Sequence, residues 1–335
     1  MTVQELAKLA KVSPATISLV LNNKKGVSDE TRKRVQALIK KHNYSPPVKS
    51  RVPLKNIRFL KYKDHGMIVD GNGDFITSIM DAIETEARNF GYNMSITTAD
   101  GNFEDAIATV AAESSDGIII LGTEIPPESY HLLDSIRTPF VIVDNIMQGS
   151  QHDCILMNNC ETILHALSYL HGLGHREIAY ARSSVRISNF DERQEAFGKY
   201  CKLLGFSCQS KHIFEVAPTL EGAYHSMQEL LRQDLSLPTC LFAENDSIAI
   251  GIIKALKETG LKIPDDISIM GFDDIQYSRI NNPALTTMRI PRRTIGTMAV
   301  QRLRQRMKDP RSYDVKIKVG AKLMARKSTA PPKKK

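Results

Sequence analysis

The first side chains along this chain that could form a binding surface are the short ones between Ser13 and Asn22, which are followed by a series of Lys and Arg residues. If this segment is helical, Ile17, Val20 and Leu21 share one apolar face. The other faces carry short side chains, which let a helix backbone approach another surface closely: Ala15, Thr16, Ser18, Leu19 and Asn22. This pattern predicts noncovalent binding of a large partner.

The distribution of charge indicates what that partner is. Residues 1–63 hold 15 Lys and Arg against 3 Asp and Glu, a net charge of +12, whereas the remainder holds 30 against 34, a net charge of −4. The overall net charge of +8 therefore belongs to the amino-terminal segment. Such a field attracts a polyanion, and binding should weaken steeply with salt because each neutralised phosphate releases a counterion. No apolar face of membrane type accompanies these cations.

Two short helices must position the side chains named above. Thr2 and Glu5 have the spacing of a capping box, which predicts that a first helix begins near Val3. Ser13-Pro14 is the start signature of a second helix, which we expect to run to about Asn22.

A third helix completes the amino-terminal unit. Ser28 is placed to cap it, and its inward side chains are expected to be Val35, Leu38 and Ile39. Two short helices at a tight turn, braced by a third, predict a helix-turn-helix DNA-binding domain over residues 1–46. A hinge linker over residues 47–56 follows, because the prolines of its Ser45–Pro53 stretch exclude a regular helix interior.

From Ile57 onward, apolar strands alternate with amphipathic helices, which predicts parallel sheets flanked by helices. The strongest elements are helices near 75–90, 104–113, 160–173, 192–204, 247–259 and 294–307 and strands near 93–97, 117–121, 140–143, 178–180, 239–242, 267–270 and 316–325. We expect two doubly wound subdomains in an effector-binding and dimerisation domain over residues 57–332. The N-subdomain comprises about 57–158 and 288–315, and the C-subdomain about 159–287 and 316–332. Ligands of such folds bind at the carboxyl ends of the strands.

Composition and motifs argue against several other classes. The chain has 335 residues, no run of about 18 apolar residues and no signal peptide at its start, so a cytoplasmic protein is expected. The sequence contains no phosphate-binding glycine loop, no nucleophile elbow and no zinc-protease motif. The five cysteines are scattered without a Cys-x-x-Cys pair, and His171 and His175 flank a helix end. We therefore expect no enzyme activity, no metal and no cofactor.

Several motifs together resemble the lactose-repressor and galactose-repressor (LacI/GalR) family of bacterial transcription regulators. They are Val12-Ser13-Pro14-Ala15-Thr16-Ile17-Ser18, Val27-Ser28, Asn43-Tyr44, Leu173-Gly174-His175-Arg176-Glu177, Asn245-Asp246, Gly271-Phe272-Asp273-Asp274 and Leu285-Thr286-Thr287. The resemblance covers nearly the whole chain. It implies an all-α head and an α/β body resembling a periplasmic-binding-protein-like fold.

For function, the resemblance implies a homodimer whose second head helix reads the major groove of a pseudo-palindromic operator. By position, Pro14, Ala15 and Leu19 match the family's base-reading residues, which here read by apolar contact and shape. Five hydroxyl and amide side chains are suited to phosphate contacts: Thr16, Ser18, Asn22, Ser28 and Thr31. Ser13, Ser18 and Ser28 could equally be helix caps or surface hydroxyls.

One segment departs from the family pattern. Members usually carry a hinge helix with an Ala-Arg pair and a leucine that enters the minor groove. This chain has Pro47-Val48-Lys49-Ser50-Arg51-Val52-Pro53-Leu54 instead. Whether a hinge helix forms is left open, but Lys49 and Arg51 could still follow phosphates, and Val52 or Leu54 could still insert.

The resemblance also implies an effector cleft. The family's ligand-contacting positions correspond to Asn72, Phe75, Arg193, Asn245 and Asp273. A carboxylate, a guanidinium, carboxamides and an aromatic face suit a polyol, so a sugar is expected. Two of these residues have a simpler alternative to ligand contact. Asn245 could serve just as a helix cap, and Arg193 could form a surface ion pair with Glu192 or Glu195.

The acidity of the cleft keeps a second ligand class open. The turn Asp70-Gly71-Asn72-Gly73-Asp74-Phe75 is acidic, and more charge could come from Glu124, Asp144 and Glu161. A cationic or amino-bearing effector is therefore the alternative to a sugar.

The function expected is a repressor whose operator affinity is controlled by this effector, acting as inducer or as corepressor. The alternative is a small-molecule sensor of the same fold that does not bind an operator. The carboxyl-terminal Pro331-Pro332-Lys333-Lys334-Lys335 contains no apolar heptads, which favours a dimer over a tetramer.

Overall fold

The computed structural model describes residues 2–21, 24–42, 44, 55–233 and 235–333. Residues 1–54 and 55–335 form two compact units, here called the head and the body. The predictions for Asn22, Lys49 and Arg51, and for hinge residues 47–54, lie outside the described residues. Residues 55 and 56 were assigned to the linker, but they begin the first strand of the body.

The head contains the three predicted helices, α1 (Val3–Ala10), α2 (Pro14–Leu21) and α3 (Asp29–Lys41). The capping box is present, because the Thr2 hydroxyl accepts from the Glu5 backbone N–H at 3.2 Å and the Glu5 carboxylate accepts from the Thr2 N–H at 2.8 Å. The Ser28 hydroxyl caps α3 by accepting from the Thr31 N–H. The buried core of the head is Leu6, Ala7, Ala10, Ile17, Val20, Val35 and Tyr44.

In the body, the described residues form two six-stranded sheets. The first is parallel, with the spatial order β11 (Lys316–Val319), β5 (Cys154–Met157), β4 (Phe140–Val143), β3 (Gly117–Leu121), β1 (Lys55–Lys63) and β2 (Tyr92–Asp100). The second has the order β12 (Lys322–Met324), β10 (Thr286–Arg289), β9 (Ser268–Asp273), β8 (Cys240–Ala243), β6 (Ile178–Ser183) and β7 (Ile213–Val216), with only β12 antiparallel to its neighbour.

Helices flank these sheets as the alternating pattern predicts. They are α4 (Gly73–Asn89), α5 (Phe103–Ala112), α6 (Asn159–Gly172), α7 (Ser188–Leu204), α8 (Leu220–Leu231), α9 (Asp246–Glu258), α10 (Gln276–Ile280) and α11 (Arg292–Lys308). Strands β3, β8 and β9 are buried at every position, as strands covered on both faces must be. In the described part of the chain, no helix is long and apolar enough to cross a membrane.

The chain crosses between the two sheets near its carboxyl-terminal end, and here two predicted boundaries are wrong. Residues 288 and 289 were assigned to the N-subdomain, but they end β10 and pair with β9 in the second sheet. Residues 316–319 were assigned to the C-subdomain, but β11 pairs in parallel with β5 in the first sheet. The Val315 carbonyl accepts from the Cys154 N–H, which fixes this register. The single strand predicted near 316–325 is thus two strands, and the crossing falls at Gly320-Ala321.

Candidate DNA-binding surface and effector cleft

The amino-terminal end of α2 presents small exposed side chains. Pro14, Ala15 and Ser18 are exposed, whereas Thr16 and Leu19 are half-buried. The Ser13 hydroxyl accepts from the Thr16 N–H at 3.1 Å, so Ser13 serves as a cap. Short side chains at this helix end permit the close approach that a duplex groove requires.

The start of α3 also carries hydroxyl side chains that were predicted to contact phosphates. Ser28 and Thr31 also hydrogen bond through their hydroxyls at 2.9 Å, and Arg32 donates to the Lys24 carbonyl at 2.6 Å. The alternative in which Ser28 is a cap is therefore correct. A helix start favours an anion nearby, although Asp29 and Glu30 already place two carboxylates in the first turn of α3.

In the body, the five predicted effector residues line one buried cavity at the carboxyl ends of the strands. Its walls are Ile68, Asn72, Phe75, Ile76, Thr123, Asp144, Met157, Ile187, Asn189, Phe190, Arg193, Asn245 and Asp273. The cavity has a volume of about 20 Å³, sufficient for about one water molecule. The body is therefore closed around the place where the resemblance puts a ligand.

Asp273 ends β9 and is held in an unusual backbone conformation with φ of 118°. Its carboxylate accepts from the Asn72 side-chain amide at 3.2 Å, a contact between the two subdomains. Burial raises the pKa of Asp273 to about 6, although Arg193, Arg292 and Asn72 oppose this. An ionised Asp273 thus needs donors that a hydroxylated ligand can supply.

A second buried carboxylate supports the segment that follows Asp273. Asp246 accepts from the Ile275 N–H at 3.0 Å and from the hydroxyls of Ser278 and Thr287 at 2.6 Å. A Cβ at Gly271 would come within 2.2 Å of the Asp246 carboxylate, so only glycine fits this place on β9.

Arg193 on α7 points into the cavity and is almost completely buried. Its guanidinium donates to the Asn159 side chain at 2.9 Å and to the Glu244 carbonyl at 2.6 Å, and it stacks 3.7 Å from the centroid of the Phe272 ring. The alternative in which Arg193 forms a surface ion pair with a neighbouring glutamate is therefore wrong.

Asn245 caps a helix and also lines the cavity. Its side-chain carbonyl caps α9 by accepting from the Ile248 N–H at 2.8 Å, and its amide donates to the Pro218 carbonyl at 3.4 Å. The side chain still lines the cavity. Phe75 is buried at the start of α4 and provides an aromatic wall.

Asp144 has a larger place in the site than the sequence indicated. It follows β4 with φ of 66° and accepts from the Thr123 hydroxyl at 2.5 Å and the Asn189 amide at 3.1 Å. Burial raises its pKa to about 7, and Asp273 contributes to this rise. The available signal was its position directly after an uninterrupted apolar strand, at the carboxyl-terminal edge where Asp273 ends β9.

The other acidic side chains do not add free charge to the cleft. Asp70 lies 3.1 Å from the Lys61 amine and 3.0 Å from the Lys63 amine, and hydrogen bonding to Lys63 lowers its pKa. Asp74 lies 3.4 Å from Arg292. Glu161 is exposed at the start of α6, accepts from the Asn158 side-chain amide at 2.9 Å and is not among the residues that line the cavity.

Contacts between the subdomains hold the cleft closed. Ile68 of the N-subdomain forms a small buried cluster with Ile187 and Phe190 of the C-subdomain. The hydroxyls of Tyr130 and Ser188 hydrogen bond at 2.8 Å, and Asn189 donates to the Asp144 carbonyl at 2.8 Å. A ligand must displace some of these contacts to enter.

Two protein-family models match the chain. Residues 2–47 match bacterial regulatory proteins of the lacI family, and residues 167–329 match the periplasmic binding protein-like domain. The first match covers the helix-turn-helix head, and the second covers all six strands of the second sheet with Arg193, Asn245 and Asp273 of the cleft.

Curated relatives extend the likeness over nearly the whole chain. The HTH-type transcriptional repressor PurR of Pasteurella multocida is 30% identical over 332 residues, which is 98% of each chain. The ribose operon repressor of Haemophilus influenzae is 30% identical over 313 residues, which is 92% of each chain. These relatives are transcriptional repressors and not enzymes.

Solved structures share the fold. A Lac repressor dimer bound to operator and the anti-inducer ONPF has a TM-score of 0.74 at 22% identity, with 98% of this chain and 99% of that chain covered. A LacI family transcriptional regulator from Enterococcus faecium with bound ribose has a TM-score of 0.69 at 25% identity, with 83% and 100% covered.

Proposed function

We propose that this chain, which belongs to the lacI family of bacterial regulatory proteins, is a repressor that binds a pseudo-palindromic operator as a homodimer and senses a small effector. The observation that carries the proposal is the convergence, in one chain, of an exposed small-residue helix end in the head and a polar closed cavity in the body. Because it acts on chromosomal DNA, we place it in the bacterial cytoplasm.

DNA binding is proposed for the head through α2 and α3. Ala15 and Pro14 offer apolar contact to base edges, and Ser18 is an exposed hydroxyl for a phosphate. Neither Ala15 nor Pro14 can form a bidentate hydrogen bond, so operator choice depends on apolar contact and on duplex shape. The net charge of +12 over residues 1–63 supplies the salt-dependent part of the affinity.

A monosaccharide is the effector class that the cavity supports best. Asp144 and Asp273 are acceptors for hydroxyl donors, Arg193 and Asn72 are donors, and Phe75 offers an apolar face. The acidic turn that favoured a cation is neutralised by lysine and arginine partners. An amino sugar remains the second candidate, because two carboxylates in the cavity face one guanidinium.

A homodimer is supported by apolar side chains left exposed on one part of the C-subdomain. Tyr277 and Ile280 of α10 are 60% and 72% exposed, and Leu220 is 38% exposed. Leu220 also lines a surface groove with Ile250 and Ile253. Exposed apolar patches of this kind mark protein interfaces. We propose that a second copy of this chain covers the patch.

The test is selection of genomic fragments of the source bacterium by the purified protein at two salt concentrations, followed by sequencing of the bound DNA. A recovered pseudo-palindrome whose affinity falls steeply with salt supports the repressor. The selected operator is then titrated with a monosaccharide panel of ribose, glucose, galactose and glucosamine. Panel binding without any selected DNA would instead support the alternative, a sensor of the same fold that does not bind an operator.

A further inference from the structure

Glu124, three residues after the end of β3, is surrounded by backbone N–H groups of a single loop. Its side chain is fully buried. One carboxylate oxygen accepts from Asp64, His65 and Gly66 at 3.0, 3.2 and 2.8 Å. The other oxygen accepts from Ile68 and Val69, both at 2.9 Å. Successive N–H groups that converge in this way form an anion-binding concavity, which is filled here by a carboxylate of the chain itself.

This loop leads directly into the effector cleft. Ile68 lines the cavity and contacts the C-subdomain, and the chain then continues through Asn72 to Phe75. On the other side, Thr123 adjoins Glu124 and donates to Asp144. The Glu124 carboxylate therefore connects the loop that forms one wall of the cavity to the segment whose Thr123 holds Asp144.

The sequence of the turn explains why such support is needed. Residues 70–75 contain Gly71 and Gly73, and glycine loses more conformational entropy on ordering than any other residue. At Gly71, a Cβ would lie 2.4 Å from the Met67 carbonyl, so the tight path excludes a stiffer residue. The two glycines add no side-chain contacts to the turn, and the hydrogen bonds to Glu124 fix the loop that precedes it.

Only an ionised carboxylate can satisfy these five donors. It accepts on both oxygens, whereas the amide of a glutamine would turn an N–H₂ group toward two or three of the backbone N–H groups. Hydrogen bonds to a charged acceptor are also stronger than those to a neutral one. Both the negative charge of Glu124 and its two acceptor oxygens therefore contribute to binding the five backbone N–H groups.

We propose that Glu124 is a positioning residue for effector recognition, which orders the loop over residues 64–69 and thereby places Asn72 and Phe75 for the ligand. The inference rests on the proposed effector function. Glu124 itself does not line the cavity, and it acts only through the loop.

The test is chemical rescue in the full chain. Glu124→Ala leaves the N–H concavity empty, and formate is small enough to refill it. For the panel sugar that wild type binds, we expect the affinity of Glu124→Ala to fall on the order of 10- to 100-fold, equivalent to about 1.4–2.8 kcal/mol. Formate should restore most of it, while operator affinity without sugar stays near the wild-type value.

Two variants provide the controls. Glu124→Gln fills the same space without the charge, so its affinity should fall without rescue by formate. Asp153→Asn perturbs another buried carboxylate, which binds Arg302 and Arg306 beside β5 and α11, so it should lower stability while leaving sugar affinity nearly unchanged. Unchanged sugar affinity in Glu124→Ala, or a loss that formate does not reverse, would overturn the proposal.

Hydrogen exchange separates this proposal from the proposed function, because it needs no ligand. The amides of residues 64–69 should exchange faster in Glu124→Ala and regain protection with formate. Unchanged protection would refute the ordering role even if sugar binding is found. If wild type binds no member of the panel, the effector function fails and the positioning role falls with it, whatever the exchange shows.

Discussion

The substitution Asp273→Asn should make the body more stable at neutral pH while removing its response to effector. Burial raises the pKa of Asp273 from 3.8 to about 6. Because one pKa unit corresponds to about 1.4 kcal/mol, ionising Asp273 in the folded chain costs roughly 3 kcal/mol more than in the unfolded chain. This cost is absent below pH 3.8, grows as the pH rises toward 6, and is complete above pH 6.

Asparagine has almost the same shape and carries no such cost. It also removes the charge that helps to raise the pKa of Asp144. The variant should therefore gain free energy of unfolding relative to wild type as the pH rises from 4 to 7. We expect about 1–3 kcal/mol at pH 7.5, the lower end allowing for weaker hydrogen bonding by an amide.

The assay is urea unfolding of both proteins at several pH values between 4.5 and 8, scored as the difference between the two free energies. Taking the difference removes contributions that the variants share, such as the buried His175 and His212. Asp265→Asn on the exposed surface is the matched control and should give a flat difference. A flat difference for Asp273→Asn, or a loss of stability at pH 8, would refute the reasoning.

Three further substitutions test the head and the dimer. Ala15→Asp should weaken operator binding on the order of 100-fold in a fluorescence anisotropy titration, because its carboxylate would lie close to DNA phosphates. Its control, Ala37→Asp on the exposed face of α3, should change operator affinity less than about 3-fold. Ile280→Arg should convert dimers to monomers in sedimentation equilibrium at low protein concentration, and Leu203→Arg at a site of similar exposure, 69% against 72%, should not. Ser28→Ala should lower the stability of the head by about 1 kcal/mol in thermal unfolding, because the α3 cap is lost; an unchanged midpoint would contradict the cap.

The head could be predicted closely from the sequence because its helices are specified locally. Thr2, Ser13-Pro14 and Ser28 act within three residues of themselves, so their spacing alone determines where each helix begins. Leu9 is an exception, since it is 54% exposed although it repeats with Leu6 at helical spacing. Ala7 packs in the core instead, and the choice between these faces depends on tertiary packing.

The body could be predicted less completely, because several of its elements depend on distant partners. Strands β5, β7 and β10 are only four residues long, and their place comes from pairing with neighbours rather than from their own pattern. The assignment of β11 to the first sheet likewise depends on its pairing with β5. Helix α7 begins at Ser188, earlier than expected, and its first residues Ser188 and Asn189 contact the opposite subdomain.

The cleft residues that the resemblance identified do converge in one cavity, yet their electrostatics could not be predicted from the sequence. Whether a carboxylate is paired, like Asp70, or buried with a raised pKa, like Asp144, depends on groups far away in the chain. The same holds for Glu124, whose five donors lie more than 50 residues before it.

The most direct measurement of the central claim is the operator affinity of wild type and Asp273→Asn, each titrated with the monosaccharide panel on the genomically selected fragment. We predict that one sugar changes the wild-type Kd by about 10-fold or more, a coupling of about 1.4 kcal/mol, while the variant binds the operator as wild type does and does not respond. Equal shifts in both proteins, or no shift with any sugar, would contradict an effector-controlled repressor that senses its ligand through Asp273.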